Sequence, residues 1–135
     1  IEGLWRMVKV LMVLSSHKPG TIGPEGTSVK GGWYAEEMAH PYEKFMEAGF
    51  EVDFAAIKAG DANTNVDPDS VTEEELAKDK VKASVLADAS VKAQLASIQP
   101  ISAFDGKNYN GIMLVGGFGV MWDFYPNEEL GKVAL

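Results

Sequence analysis

Two stretches of this sequence hold residue types that could do chemistry. Glu36-Glu37 opens an amphipathic segment just after the glycine-rich run Lys18 to Gly32, and Gly116-Gly117-Phe118-Gly119 follows the apolar run Ile112 to Val115. Glycines at the end of a strand let main-chain N–H groups come close to a ligand or reacting atom. Such donors suit an oxyanion hole, where one N–H contributes about 2.7–4 kcal/mol to transition-state stabilisation. The competing reading is a tight turn leading into Trp122. The run lacks both G-x-G-x-x-G and a Walker Lys-Ser/Thr, which weighs against phosphate cradling.

Glu37 is the acid of most interest. It stands near the start of a helix, at the C-terminal edge of the first expected strand, where open α/β sheets place their ligands. A partly buried carboxylate there can be held protonated and act as an acid or hydrogen-bond donor. The plainer alternative is a helix-start acid that favours the macrodipole, worth about 0.3–1 kcal/mol. His17 and His40 are the only histidines, and their spacing matches no metal motif. His17 follows the first strand and reads as a pocket residue. His40 precedes Pro41, which favours an extended or kinked backbone and a structural role. The absence of cysteine excludes disulfides, thiolate metal sites and a cysteine nucleophile from these residues.

The elements that would position these groups follow from apolar patterning. Val8 to Leu14 is nearly continuous apolar, as in a strand buried on both faces of a parallel sheet. Glu36 to Ala48 spaces Met38, Tyr42, Phe45 and Met46 as a helix ended by Gly49, with Pro41 expected early in it or at a kink. Phe50 to Ala56 alternates as a second strand with Val52 and Phe54 on one face. After the turn-rich Asp61 to Ser70, helices are expected over Thr72 to Lys80 and Val81 to Ser97. A capping box at Ser70 or Thr72 opens them, and Val91, Leu95 and Ile98 form their buried stripe. Tyr109 to Val115 reads as a third, buried strand, and Pro126 as the first turn of a last helix running to Leu135.

The fold class expected is therefore α/β: a doubly wound, flavodoxin-like parallel sheet with a helical insert at about residues 67–98. Val8 to Leu14 and Gly111 to Val115 should be adjacent and parallel, because the connection between them is long enough for a crossover. The later elements are too few to cover both faces and pair both edges of such a sheet, so the domain is expected to be incomplete at its C-terminal side.

With 46% hydrophobic and 24% charged residues the chain reads as one globular domain. Twenty acidic against 12 basic residues give a net charge of −8, and no Lys/Arg cluster stands out to pair with phosphates, which argues against nucleic acid and anionic membrane as partners. No apolar run is long enough to span a bilayer, and the opening residues lack the order of a signal peptide, so a cytoplasmic protein is expected. Met7 reads as a natural start, with residues 1–6 an upstream extension.

Taken together, GGWYAEEMAHPYEKFMEAGFEVDFAA, VDPDSV and YNGIMLVGGFGVMWDFYPNEEL closely resemble the ThiJ/PfpI superfamily, with its class I glutamine-amidotransferase-like fold. The nearest branch is that of the stress-induced chaperone and glyoxalase III proteins. The resemblance runs from about Lys9 to Leu135 and makes residues 7–135 the N-terminal part of a single such domain. It implies that Glu37, four residues before Pro41, contacts a nucleophilic cysteine, and that Gly117 donates an oxyanion-hole N–H. Gly116 and Phe118 would line the same pocket. It also implies a cysteine on a strand-to-helix elbow, followed by histidine, beyond the segment equivalent to Leu135. Phe118 stands where such relatives usually carry histidine, so polar contacts from that position are lost.

Two functions compete. By resemblance, the first is a cysteine-dependent enzyme of the glyoxalase III or related hydrolase type, taking a small reactive carbonyl compound such as methylglyoxal to lactate without metal or organic cofactor. This chain would then be inactive alone, and a homodimer is the assembly to look for. The second is a non-catalytic binding or chaperone module, which a cysteine-free chain with Phe118 in its loop fits directly. A flavodoxin-like nucleotide binder is disfavoured by the missing phosphate motif.

Overall fold

The computed structural model describes residues 7–135; the first six, read above as an upstream extension, lie outside the described residues. Lys9–Leu14 forms β1, and its apolar side chains from Leu11 to Leu14 are fully buried. After a long loop come α1 (Ala35–Glu47) and β2 (Glu51–Ala56). Three short helices follow: α2 (Glu73–Lys78), α3 (Lys80–Ala87) and α4 (Ala89–Ala96). The chain then makes β3 (Gln99–Pro100), β4 (Gly111–Leu114), α5 (Val120–Asp123) and α6 (Glu128–Ala134).

The sheet order is β3-β2-β1-β4, and every pairing is parallel. β1 pairs with β2 from Lys9–Glu51 to Leu14–Ala56, and with β4 from Val10–Gly111 to Val13–Leu114. This is the α/β, flavodoxin-like arrangement, with the adjacency of the first and last strands that their buried runs imply. Strand residues alternate between two cores, as the period of two dictates. Val10, Met12, Leu14, Val52 and Phe54 pack against Met38 and Ala39 of α1 and against Val85, Val91 and Leu95. Leu11, Val13 and Ala55 pack on the other face against Ile101, Leu130 and Val133.

Several local expectations need correction. The helix expected over Val81 to Ser97 is two helices, because the Asp88 side chain accepts from Val91 N–H at 3.0 Å and restarts the helix there. Asp79 does the same for α3 through Lys82 N–H at 2.9 Å, and Thr72 caps α2 through Glu75 N–H at 3.2 Å. Short polar side chains compete with the helical ladder, which is why they favour such breaks. Pro41 sits inside α1, and His40 is helical rather than extended. Pro126 precedes the last helix, whose cap is Asn127. The strand read as buried is only half-buried and leaves Leu114 47% exposed, because β4 is an edge of the sheet. The two-residue β3, with proline at its edge, had no apolar pattern to announce it. Among the described residues no helix is long and apolar enough to cross a membrane.

Candidate functional site

At the C-terminal end of β1 the buried Ser15 donates its hydroxyl to Asp123 at 2.9 Å, and Ser16 N–H donates to Asp123 Oδ2 at 2.7 Å. His17 N–H returns to Ser15 Oγ at 3.1 Å. These bonds tie α5 to the strand end and so hold the loop that joins α5 to β4.

The start of α1 is fixed by backbone groups rather than by its own cap. Its N-cap, Tyr34, makes no side-chain capping bond. One of the N–H groups that a helix start leaves unpaired, that of Ala35, donates to Ser70 Oγ at 3.1 Å, and Ser70 Oγ donates in turn to Asp67 carbonyl oxygen at 2.7 Å. Trp33 is buried, with its indole N–H donating to Ala62 carbonyl oxygen at 2.9 Å. Trp33 N–H donates to Asn65 carbonyl oxygen at 3.0 Å, and Asp67 N–H to Trp33 carbonyl oxygen at 2.8 Å. The segment Ala62 to Ser70 therefore clamps the turn that delivers Glu36 and Glu37.

The glycine loop lies directly on this turn. Tyr34 N–H donates to Gly116 carbonyl oxygen at 2.9 Å, and Gly119 N–H to Gly32 carbonyl oxygen at 2.9 Å. Gly117 has φ +134°, and a β-carbon on it would fall 2.5 Å from Gly32 carbonyl oxygen and 2.8 Å from Tyr34 nitrogen. Only glycine satisfies both the dihedral and the approach. A β-carbon on Gly116 would collide with the Glu37 carboxylate. Among the described residues, the N–H groups of Gly116, Gly117 and Phe118 have no hydrogen-bond acceptor.

Glu37 thus stands between two recesses. One, of about 510 Å³, runs along β4 and is lined by Glu36, His40, Pro41, Met113, Leu114 and Gly116 as well as Glu37. The other, of about 240 Å³, is lined by Tyr34, Glu37, Gly117, Phe118 and Met121. Proline at position 41 has no N–H to offer the Glu37 carbonyl one helical turn earlier. The Glu37 side chain is exposed, which corrects the expectation of a partly buried carboxylate. Phe118 is 44% exposed, with Lys30 Nζ 5.1 Å from its ring centroid. His17 is not brought to either recess: its ring stacks on Trp122 at 5.1 Å, and its Nδ1 is buried without a partner among the described residues.

Beside Glu37, Glu36 receives Lys82 Nζ at 2.7 Å, and Glu75 lies 3.7 Å from the same nitrogen. Lys82 is completely buried. Burial pulls its pKa down, but the hydrogen bond it donates to Glu36 and the charges of Glu36, Glu75 and Asp79 push harder, so it stands above the usual lysine value. His40 meets Asp79 at 2.6 Å, and Asp79 is held below its ordinary carboxylate value by the Lys82 N–H bond first and by His40 second. Lys82 and His40 therefore lock α3 to α1 next to the candidate acid. Among the described residues no group of three or more histidines, aspartates and glutamates is placed to hold a metal ion.

No protein-family model matches the sequence, and no curated protein matches it. Solved structures do. The 24-kDa Rapid Encystment Protein of Francisella tularensis is 27% identical with a TM-score of 0.75, over 94% of this chain and 54% of that one. Glyoxalase III from Candida albicans is 25% identical with a TM-score of 0.73, over 94% of this chain and 51% of that one. These likenesses support the ThiJ/PfpI resemblance seen in the sequence. A third crystal structure is 34% identical with a TM-score of 0.72, over 95% of this chain and 50% of that one. The chain spans about half the length of these solved proteins.

Ser70, Lys82 and Asp123 also shape the site; the sequence marks Ser70 only as a candidate cap of the next helix and does not pick out the other two. The first belongs to the VDPDSV stretch, whose turn-forming residues were visible but whose bond to Ala35 N–H spans a long loop. Lys82 lies in the helical insert, where apolar patterning points only to Val91, Leu95 and Ile98, and Asp123 bonds across more than a hundred residues. Only pairing information could have found either.

Proposed function

We propose that this chain supplies the acid and the oxyanion-binding part of a glyoxalase III-like site for small reactive carbonyl compounds such as methylglyoxal, with residues 7–135 forming the N-terminal part of the domain. The observation that carries this reading is the apposition of the Glu37 carboxylate to a glycine loop whose Gly116 and Gly117 N–H groups have no acceptor among the described residues. The likeness to the Candida glyoxalase III supports it. In the reading, a thiolate from outside these residues adds to the aldehyde carbon, and the carbonyl oxygen takes the charge beside Gly117 N–H. Glu37 carries a proton between the two carbons of the adduct, and water releases lactate from the resulting thioester. Gly116 and Phe118 line the substrate's place.

The test is a chimera joining this chain to the part of the Candida enzyme that it does not cover. Methylglyoxal should disappear with formation of lactate, and Glu37→Gln should lower the rate by about 10²–10⁴-fold, the range of a single positioned acid or base. The 135-residue chain alone should show no turnover, since it has no cysteine. Turnover by the chain alone that resists a thiol-blocking reagent would overturn the reading.

A second reading, a non-catalytic binding or chaperone module, draws on the apolar side chains around the same loop: Met121 is 74% exposed, Trp122 49% and Tyr125 87%. Suppression of client aggregation by the chain alone, reduced by Phe118→His, would favour it.

A further inference from the structure

The turn that carries Glu37 is short of the bonds that normally hold a helix start. Tyr34, the N-cap of α1, makes no side-chain capping bond, although the first N–H groups of a helix need partners. Pro41 has no N–H to donate to the Glu37 carbonyl. What this turn does have is a tether from α3. The fully buried Lys82 donates to Glu36 Oε1 at 2.7 Å. Among the described residues it is the only hydrogen-bond partner of that carboxylate, whose Oε2 is buried without one. The lysine is held in turn: Asp79 caps α3 through Lys82 N–H at 2.9 Å and meets His40 of α1 at 2.6 Å. Glu36 is followed directly by Glu37, whose carboxylate lies against Gly116.

We infer that Lys82 is a positioning residue, which acts through Glu36 to hold the first turn of α1 and with it the Glu37 carboxylate against the Gly116 loop. The inference rests on reading Glu37 and the glycine loop as one site. A buried ion pair is a weak source of net stability, because desolvation of two charges offsets much of their attraction. Its distinct contribution here is geometric, since a short charge-assisted hydrogen bond fixes direction as well as distance. Successive helix residues stand about 100° apart around the axis, so seating Glu36 on α3 aims Glu37 at β4, where Met113, Leu114 and Gly116 line the same recess. Ser70, the other bond to this turn, reaches only the backbone N–H of Ala35. It fixes where the helix begins, whereas Lys82 fixes how the turn is rotated. Rotation decides whether the acid is within reach of a proton at the site.

The test is read by NMR on the 135-residue chain, through the Gly116 amide as the pH is lowered across the carboxylate range. Its shift should inflect as the neighbouring carboxylate takes a proton, and Glu37→Gln should abolish the inflection. That variant makes the assignment, because Glu36, His40 and Tyr34 around Glu37 also titrate. Lys30 lies over Phe118, and Lys82, Glu75 and Asp79 stand behind Glu36. Lys82→Met/Glu36→Gln removes the tether without leaving a buried charge. It should unfold at nearly the parent's denaturant concentration, yet its Gly116 inflection should shrink about twofold or more as Glu37 moves away. Glu75→Gln, which removes the acid 3.7 Å from Lys82 Nζ, should leave the inflection unchanged. If the double variant does not fold, Glu36→Ala, at a part-exposed position, removes the same tether with Glu75 still facing Lys82, and the same reduction is expected. A double variant with both parental stability and a parental inflection would overturn the inference and leave the pair a purely structural one. So would an equal reduction in Glu75→Gln, which would assign the effect to general loosening of α2 and α3. Methylglyoxal left unconsumed by the chimera, while the Gly116 inflection still depends on Lys82, would sustain the positioning role and count against the glyoxalase reading alone.

Discussion

Gly117 offers the sharpest test of the site's construction. Alanine there must adopt φ near +134°, a region that costs a residue with a β-carbon about 1–3 kcal/mol. Its methyl group must also enter space held by the backbone of Gly32 and Tyr34, at 2.5 and 2.8 Å. Overpacking against such neighbours costs about 1–3 kcal/mol. Gly117→Ala should therefore destabilise the chain by about 2–6 kcal/mol in total, a large part of the roughly 5–15 kcal/mol typical of a domain. For this length a midpoint decrease of about 10 °C or more is expected. Urea unfolding followed by tryptophan fluorescence would measure the difference, with the buried Trp33 as reporter. Gly111→Ala is the matched control, since a β-carbon there meets nothing within 4 Å. It should be neutral or stabilising by about 0.4–1 kcal/mol through the unfolded chain. If Gly117→Ala lies within about 0.5 kcal/mol of the parent, the loop does not depend on the close backbone approach described here, and the argument for its rigidity fails.

Lys82→Met should cost about 3 kcal/mol, because it leaves the Glu36 carboxylate without its partner, and Lys82→Met/Glu36→Gln should recover most of the loss in denaturant titration. The raised Lys82 pKa contributes stability that is complete below the unfolded lysine value of 10.5 and is lost as pH rises through the higher folded value. The alkaline limb of a stability profile should therefore be shallower in the double variant. Tyr109 is held well above the ordinary 10.0, by burial first and then by its 2.6 Å hydrogen bond to Asp53. Its phenolate absorbance should appear only well above that pH or on unfolding, and the Tyr109→Phe variant should lose that late component. Ionisation of Tyr109 near its ordinary value would refute the half-buried Tyr109–Asp53 pair.

Apolar patterning made the sheet readable because a buried parallel strand leaves few residue choices. Leu11 to Leu14 and Val52 with Phe54 have their faces dictated by the two cores, so strand positions and adjacency followed from the sequence. Gly49 at φ +77° was likewise legible as the residue that ends α1. What escaped depends on pairings between distant residues. The exposure of Leu114 reflects which strand stands at the edge, and strand order is not written in local composition. The same apolar run would be buried in a central strand. For the site, Glu37 and the glycine loop were recognisable by type, and the structure places them side by side. The exposure of Glu37 and the separation of His17 from both recesses depend on how α1 and Trp122 pack, which spacing alone does not determine.

The bonds from Asp123 to Ser15 and Ser16 have a further consequence for how a ligand gains access. The glycine loop is tethered behind by Asp123 and in front by Val115 N–H, which donates to Val13 carbonyl oxygen at 2.9 Å. Between these tethers it is bonded to Gly32 and Tyr34. Opening it as a flap would break contacts with β1 and α1 together, so its fluctuations belong to the same cooperative unit as the centre of the sheet. The two recesses beside Glu37 therefore keep their shape only as long as the sheet does, with no separately moving gate in the loop itself.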